Sequence, residues 1–224
     1  MSYSIESITE SIGARRMGNA PATIDWLLTD SRSLNFPEET LFFALTTKRN
    51  DGARYIADLY ARGVRNFVLS EESFRLMDNG QLTIDNAMQR DDAQSIVNYL
   101  IVPNPLKALQ KLAEQHRNRF QIPVIGITGS NGKTVVKEWL HQLLSPERAI
   151  IRSPRSYNSQ IGVPLSVWQM NEQSELAIFE AGISEPGEMR ALQNIIKPTI
   201  GILTNIGGAH QENFFSLQEK RIVM

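Results

Sequence analysis

One stretch decides what the second half of this chain can become: Pro123-Val124-Ile125-Gly126-Ile127-Thr128-Gly129-Ser130-Asn131-Gly132-Lys133-Thr134. A short apolar run suited to a buried strand breaks into three spaced glycines, then Gly-Lys-Thr, then a helical pattern. Val136, Trp139, Leu140, Leu143 and Leu144 repeat as one apolar helix face. Strand, glycine loop and helix N-terminus together make a phosphate cradle, because backbone N–H groups and the positive end of the helix dipole point at the anion. The amides of Gly129, Ser130, Asn131 and Gly132 would line it, Lys133 would reach the outer phosphates, and the Thr134 hydroxyl would hold Mg²⁺. The general pattern places a glycine five residues before Gly132, where this chain has Ile127. An ordinary strand–helix turn with an exposed lysine would leave the three glycines unexplained.

The rest of the chain alternates in the same way. From residue 124 onward, strands at 124–128, 149–152, 176–180 and 199–204 alternate with helical segments near 134–144, 163–170 and 187–196. That alternation predicts an α/β fold, a parallel sheet flanked by helices. The first part also reads as a small α/β domain. Ile5, Ile8 and Ile12 share a helical face closed by Gly13, and strands are expected at 24–29, 41–45, 66–70 and 95–102. A helix with Tyr55, Ile56, Leu59 and Tyr60 inward sits between the second and third strands, residues 71–94 read as a polar surface excursion, and Pro103-Asn104-Pro105 reads as a hinge. Leu106, Leu109, Leu112, Ala113 and Phe120 then suit an amphipathic helix. The expected domains are 1–102 and 103–224. The capping-box pattern Ser216-Leu217-Gln218-Glu219 opens a helix shortly before Met224, so the second domain is expected to be truncated.

With 23 basic and 24 acidic residues, no polyanion-binding surface is advertised, so nucleic acid is not an expected partner and a polyphosphate would be held locally. The absence of cysteine excludes disulfides and thiolate metal sites. No apolar run approaches the roughly 18 residues of a membrane helix, and the N-terminus lacks the pattern of a signal peptide. A cytoplasmic protein without membrane insertion is the expectation.

In a parallel sheet, ligands sit beyond the carboxyl ends of the strands. Lys133 and Thr134 follow the first such strand, Glu180 ends the third, and Thr204-Asn205-Ile206-Gly207-Gly208-Ala209-His210 follows the fourth. A carboxylate at a strand tip beside a phosphate loop is placed to help hold Mg²⁺, which prefers oxygen ligands. Taken singly, such a glutamate is more often a solvated surface group than a ligand. A histidine in a glycine-rich loop is as readily just that, since imidazole is not a natural first ligand for Mg²⁺.

Several of these motifs resemble a known family in their order along the chain. The Gly126-to-Thr134 loop is similar to that of the Mur ligases, the ATP-dependent enzymes that build the peptidoglycan peptide, whose loops share this shortened glycine spacing. The segments Ser153-to-Leu165, Phe179-to-Met189, Lys197-Pro198, Thr204-to-Ile206 and Ala209-His210 resemble the last cytoplasmic ligase of that family. Thr29-Asp30-Ser31-Arg32, Leu41-to-Leu45 and Asp51-Gly52 resemble the family's UDP-sugar-binding domain.

The resemblance implies ligation of D-alanyl-D-alanine to UDP-N-acetylmuramoyl-tripeptide, with ATP and Mg²⁺ required and an acyl phosphate as intermediate. It implies that Lys133, Glu180 and His210 are catalytic; that Thr134, Glu180 and His210 hold metal; and that Ser31, Arg32, Thr47, Lys48, Arg49, Asn50, Asp51, Gly52 and Asn158 contact substrate. It also implies a C-terminal domain that this sequence lacks, so the chain alone is expected not to ligate. Some bacterial relatives are fused to alanine racemase, of which nothing appears here. The family's carbamylated lysine would fall near Met224; Lys220 is the sole lysine between His210 and the end. A sibling ligase adding the third residue, or a non-catalytic nucleotide-sugar-binding module, are the alternatives; the Tyr157-to-Pro164 segment argues against the sibling.

Overall fold

The first helix shows how closely local chemistry sets the element bounds. Ser4, at the end of β1 (Tyr3–Ser4), accepts the Ser7 N–H on its side chain, and α1 (Ile5–Ile12) ends where Gly13 turns left-handed at φ 69°. Ile5, Ile8 and Ile12 are its buried face. The computed structural model describes residues 1–47, 50–78, 96–185 and 187–207. The chain divides into two compact units, residues 1–112 and 113–224. No described helix is long and apolar enough to cross a membrane.

In the first unit come β2 (Arg15–Met17), β3 (Thr23–Ile24), β4 (Trp26–Leu28) and β5 (Thr40–Phe43), then the small hairpin β6 (Thr46–Thr47) and β7 (Asn50–Asp51). A 3₁₀ turn at Gly52–Tyr55 leads into α2 (Ile56–Ala61), then β8 (Asn66–Ser70), α3 (Glu71–Asp78) and β9 (Asn98–Val102). The main sheet runs β2-β9-β8-β5-β4, parallel throughout except for β2 at one edge. Phe42, Phe67 and Leu69 from these strands pack with Ile56 and Leu59 of α2.

Three sequence readings change here. The edge strand β2 was not expected; its Arg-Arg-Met carries no alternation, and pairing with β9 makes it a strand. Residues 71–78 are a helix with Ser73 and Met77 buried, where a polar surface excursion was expected. Tyr55 is 37% exposed, because it closes the 3₁₀ turn before α2 begins.

The helix α4 (Pro105–Arg117) starts at the expected hinge, where the Asn104 side chain accepts the Lys107 N–H at 3.0 Å. In the second unit follow β10 (Val124–Thr128), α5 (Lys133–Leu144), β11 (Ile150–Arg152), α6 (Gly162–Val167), β12 (Leu176–Glu180), α7 (Glu188–Ile196) and β13 (Ile200–Leu203). The sheet is parallel, in the order β11-β12-β10-β13. Its central strands are buried on both faces, with alternate residues in two separate cores. Val124, Ala177 and Phe179 pack with α6 and α7, whereas Ile125, Ile127, Leu176 and Ile178 pack with Val136, Leu140 and Leu144 of α5.

The expected inward face of α5 is rolled. Trp139 is 63% and Leu143 74% exposed, while Lys137 is wholly buried. At 100° per residue the helix has turned by about a quarter turn toward Lys137. The turn sets Lys137 against Glu180, as described below.

His116 of α4 is buried against Phe120 and Trp168, with its Nε2–H donating to the Met170 carbonyl at 3.0 Å. Burial pushes its pKa down to about 4. Between pH 6.5 and 4 the unfolded chain therefore binds a proton that the folded chain excludes, so stability falls as pH is lowered through that window. Denaturant unfolding of the second unit should show a loss of about 2 kcal/mol between pH 7 and pH 5, and His116→Gln should flatten that dependence. An equal pH slope in both proteins would count against the assignment.

Candidate functional site

The phosphate loop is made by two glycines with different backbone needs from the third. Gly129 has φ 139° and Gly132 has φ 82°, both left-handed. At Gly129 a Cβ would fall 1.9 Å from the Thr204 Oγ1, so only glycine admits the approach of the loop to the end of β13. Gly126 belongs to the packing instead: its Cβ position lies 3.0 Å from Pro198, on the face covered by α7. Ile127, where the general pattern has glycine, is a wholly buried strand residue in the core against α5.

Hydrogen bonds to residues 204–207 hold the loop in shape. Thr204 Oγ1 donates within reach of the Asn131 carbonyl at 2.5 Å and the Thr128 carbonyl at 3.2 Å. The Ser130 N–H goes to the Asn205 carbonyl at 3.0 Å, and the Asn131 N–H to the Asn205 side-chain oxygen at 2.9 Å. Ser130 Oγ accepts the Gly207 N–H at 2.8 Å. Two of the loop amides are thus used in bracing. The Ser130 and Asn131 amides, expected to line an anion site, are therefore occupied within the protein, whereas the N-cap of α5, Gly132, has no side chain to occupy the amides of its first turn. Lys133 Nζ reaches back over the loop to the Gly129 carbonyl at 2.7 Å.

Glu180 ends β12, and β10 pairs with it directly, Ile127 opposite Glu180. That register sets its carboxylate beside the start of α5. Thr134 Oγ1 donates to Glu180 Oε2 at 3.1 Å, while Glu180 Oε1 faces Lys137 Nζ at 2.9 Å, and both charged groups are fully buried. Lys137 also donates to the carbonyls of Ser153 and Arg155, and its Nζ lies 3.2 Å from Glu138. Burial raises the Glu138 pKa, but Arg152 and Lys137 outweigh it and hold the carboxyl below its usual range. Asn158 lies on the same side: its carbonyl accepts the Gly182 N–H at 2.8 Å.

Thr134 and Glu180 are therefore brought together, with Lys133 on the same helix turn and Asn158 against the next loop. His210 lies outside the described residues, as do Lys48 and Arg49. Among the described residues no group of three His, Cys, Asp or Glu side chains converges on a metal position. A hydroxyl and a carboxylate oxygen 3.1 Å apart fit a hard cation that completes its shell with phosphates and water, as Mg²⁺ does.

In the first unit the candidate residues follow neighbouring parallel strands. Ser31 and Arg32 form a 3₁₀ turn after β4, capped by Asp30. Arg32 is bound to Asp30 at 2.6 Å with most of its side chain in solvent, and this pairing holds the Asp30 carboxyl below its usual range. The Ser31 carbonyl accepts from Arg62 at 2.8 Å. After β5 the backbone of Thr47 pairs with that of Asn50. Asp51 caps the next turn, taking the Ala53 N–H at 2.9 Å, and accepts from Ser73 Oγ at 2.9 Å. The Gly52 N–H bonds to the Leu45 carbonyl.

Sequence reasoning missed Lys137, which sat in the pattern as a polar break in an amphipathic helix. Its spacing from Lys133, one turn on the same face, was the available signal.

Strand, glycine turn, Lys-Thr at the helix start and a carboxylate at the adjacent strand tip define the second unit as a phosphate-loop α/β architecture. Residues 127–220 match the family model of the Mur ligase middle domain. The chain is 34% identical over 202 residues to the UDP-N-acetylmuramoyl-tripeptide--D-alanyl-D-alanine ligase of Borreliella burgdorferi, covering 89% of this chain and 41% of that protein. Its fold is similar to that of MurF from Acinetobacter baumannii, with a TM-score of 0.82 at 23% identity, over all of this chain and 45% of that one. MurF ligase from Thermotoga maritima, solved in complex with ADP, gives a TM-score of 0.69 at 26% identity, over 88% of this chain and 41% of that one. The chain belongs to the Mur ligase family, and it spans about two fifths of the length of the relatives it matches.

The loop geometry is directly testable. Gly129→Ala should cost roughly 2 kcal/mol or more, from the clash with Thr204 and the left-handed backbone. Gly201→Ala, on an exposed edge with open space beside it, should change stability by less than about 0.5 kcal/mol. Thermal melts of both variants decide the point; equal effects would contradict the geometry.

Proposed function

We propose that this chain is the nucleotide-sugar-binding and ATP-binding region of a ligase that adds D-alanyl-D-alanine to UDP-N-acetylmuramoyl-tripeptide. The observation that carries the reading is the Thr134–Glu180 hydrogen bond, which joins the helix start and the neighbouring strand tip beside the phosphate loop. The relatives' printed activity and the ADP bound to the Thermotoga maritima protein support it.

In this reading residues 1–102 bind the UDP-sugar, through Ser31, Arg32, the Thr47–Gly52 loop and neighbouring backbone, and residues 103–224 bind ATP. Lys133 and the first-turn amides of α5 hold the phosphates. Thr134 and Glu180 hold Mg²⁺, with His210 at a second ion as the family resemblance implies. When bound, Mg²⁺ neutralises phosphate charge. The tripeptide carboxylate, oriented with help from Asn158, would take the terminal phosphoryl group of ATP, and the dipeptide amine would then displace phosphate. Such transfer needs positioning and charge neutralisation, which is what buried, pre-bonded side chains provide. Ligation of a cell-wall nucleotide precursor places the activity in the cytoplasm.

Lys133→Ala should weaken Mg²⁺–ATP binding by roughly 1.5–3 kcal/mol, the worth of one charge-assisted hydrogen bond. Titration calorimetry on the two proteins measures it. Equal affinities would reject the phosphate-loop assignment.

A further inference from the structure

Lys137 is a cation with no exposed surface, sitting where a divalent cation is expected to bind. Its Nζ lies 2.9 Å from Glu180 Oε1, and the carboxylate is equally buried. Nζ donates to the carbonyls of Ser153 and Arg155, and Glu138 Oε1 lies 3.2 Å away. The two carbonyls hold the ammonium in place beside Glu180, whose Oε1 has no hydrogen-bond donor aligned on it. The roll of α5, which turns Trp139 and Leu143 out to solvent, brings this lysine inward. A charge is buried at the expense of an apolar face.

The consequence is electrostatic. Glu180 faces the Lys137 charge through Oε1 at 2.9 Å without an aligned hydrogen bond, and its Oε2 lies on the side of Thr134. Its negative charge is already balanced. A divalent ion entering alone would meet a neutral pair and the repulsion of a nearby ammonium in a poorly screened interior. An ion entering with a polyphosphate brings its own countercharge and also meets Lys133.

Resting on the reading of Glu180 and Thr134 as cation ligands, we propose that Lys137 is a positioning residue that acts through Glu180, a resident counter-cation that makes divalent-ion binding conditional on bound phosphates. It orients the carboxylate and suppresses metal uptake by the nucleotide-free protein. Removing its charge should therefore produce a gain of metal binding, an effect that simple loss of structure does not give.

The test is a Mn²⁺ titration of the 224-residue chain without nucleotide, followed by the electron paramagnetic resonance signal of the free ion. Lys137→Met should bind Mn²⁺ at least tenfold more tightly than the parent chain. The chain has no cysteine, so Lys137→Cys can be aminoethylated at a single thiol in denaturant and refolded. That restores an ammonium at nearly the native distance and should return the affinity to the parent value. If Lys137→Met does not fold, Lys137→Gln, which still donates to the carbonyls but is uncharged, is read in the same way. Unchanged or weaker Mn²⁺ binding in the charge-free variant, with Mg²⁺–ADP binding by the parent intact, would overturn the role of Lys137 alone. A gain that persists when Glu180→Gln is added would instead overturn Glu180 as the ligand, and the reading beneath the proposal with it.

Discussion

The second unit depends on the approach of the backbone at Gly129 to the end of β13. A parallel sheet brings the carboxyl ends of its strands to one edge, but it does not by itself shape a loop there. The loop is shaped by Thr204, Asn205 and Gly207, which between them hold Thr128, Ser130 and Asn131. Any side chain at 129 would meet the Thr204 hydroxyl. Two loop amides are spent on this bracing, and the first-turn amides of α5 are left without a side-chain cap.

A second set of contacts ties that cradle to the carboxylate. The register of β10 on β12 sets Glu180 beside Ile127, and α5 then supplies Thr134 to one carboxylate oxygen and Lys137 to the other. The same ammonium binds carbonyls of the 153–155 segment, which leads to Asn158. Helix, central strand and the 153–158 loop are therefore held by a few buried polar atoms. Removing one charge of the pair leaves the other buried and uncompensated.

Much of this was legible in the sequence. The strands of the second unit carry short, mostly apolar runs, and their bounds agree with the sequence reading to within one residue at β11 and β13. Glu180 could be placed at a strand tip because the run Leu176-to-Phe179 ends there. The polar edge strand β2 was hidden, since its pairing with β9 and not its composition makes it a strand. The short helix 71–78 was hidden by its polar surface, with few buried residues to mark its face. The roll of α5 was hidden for a different reason. Periodicity assumes that apolar side chains go inward, and here Lys137 is buried against Glu180 while Trp139 and Leu143 are exposed.

The central claim is that Thr134 and Glu180 hold a divalent ion at the phosphate loop. A crystal structure of the chain grown with ADP and Mn²⁺ tests it most directly, through the anomalous signal of the metal. The account predicts one peak within coordination distance of both Thr134 Oγ1 and Glu180 Oε2, with Lys137 Nζ still on Glu180 Oε1. Bound ADP with the metal peak away from Glu180, or with Lys137 withdrawn from the carboxylate, would contradict it.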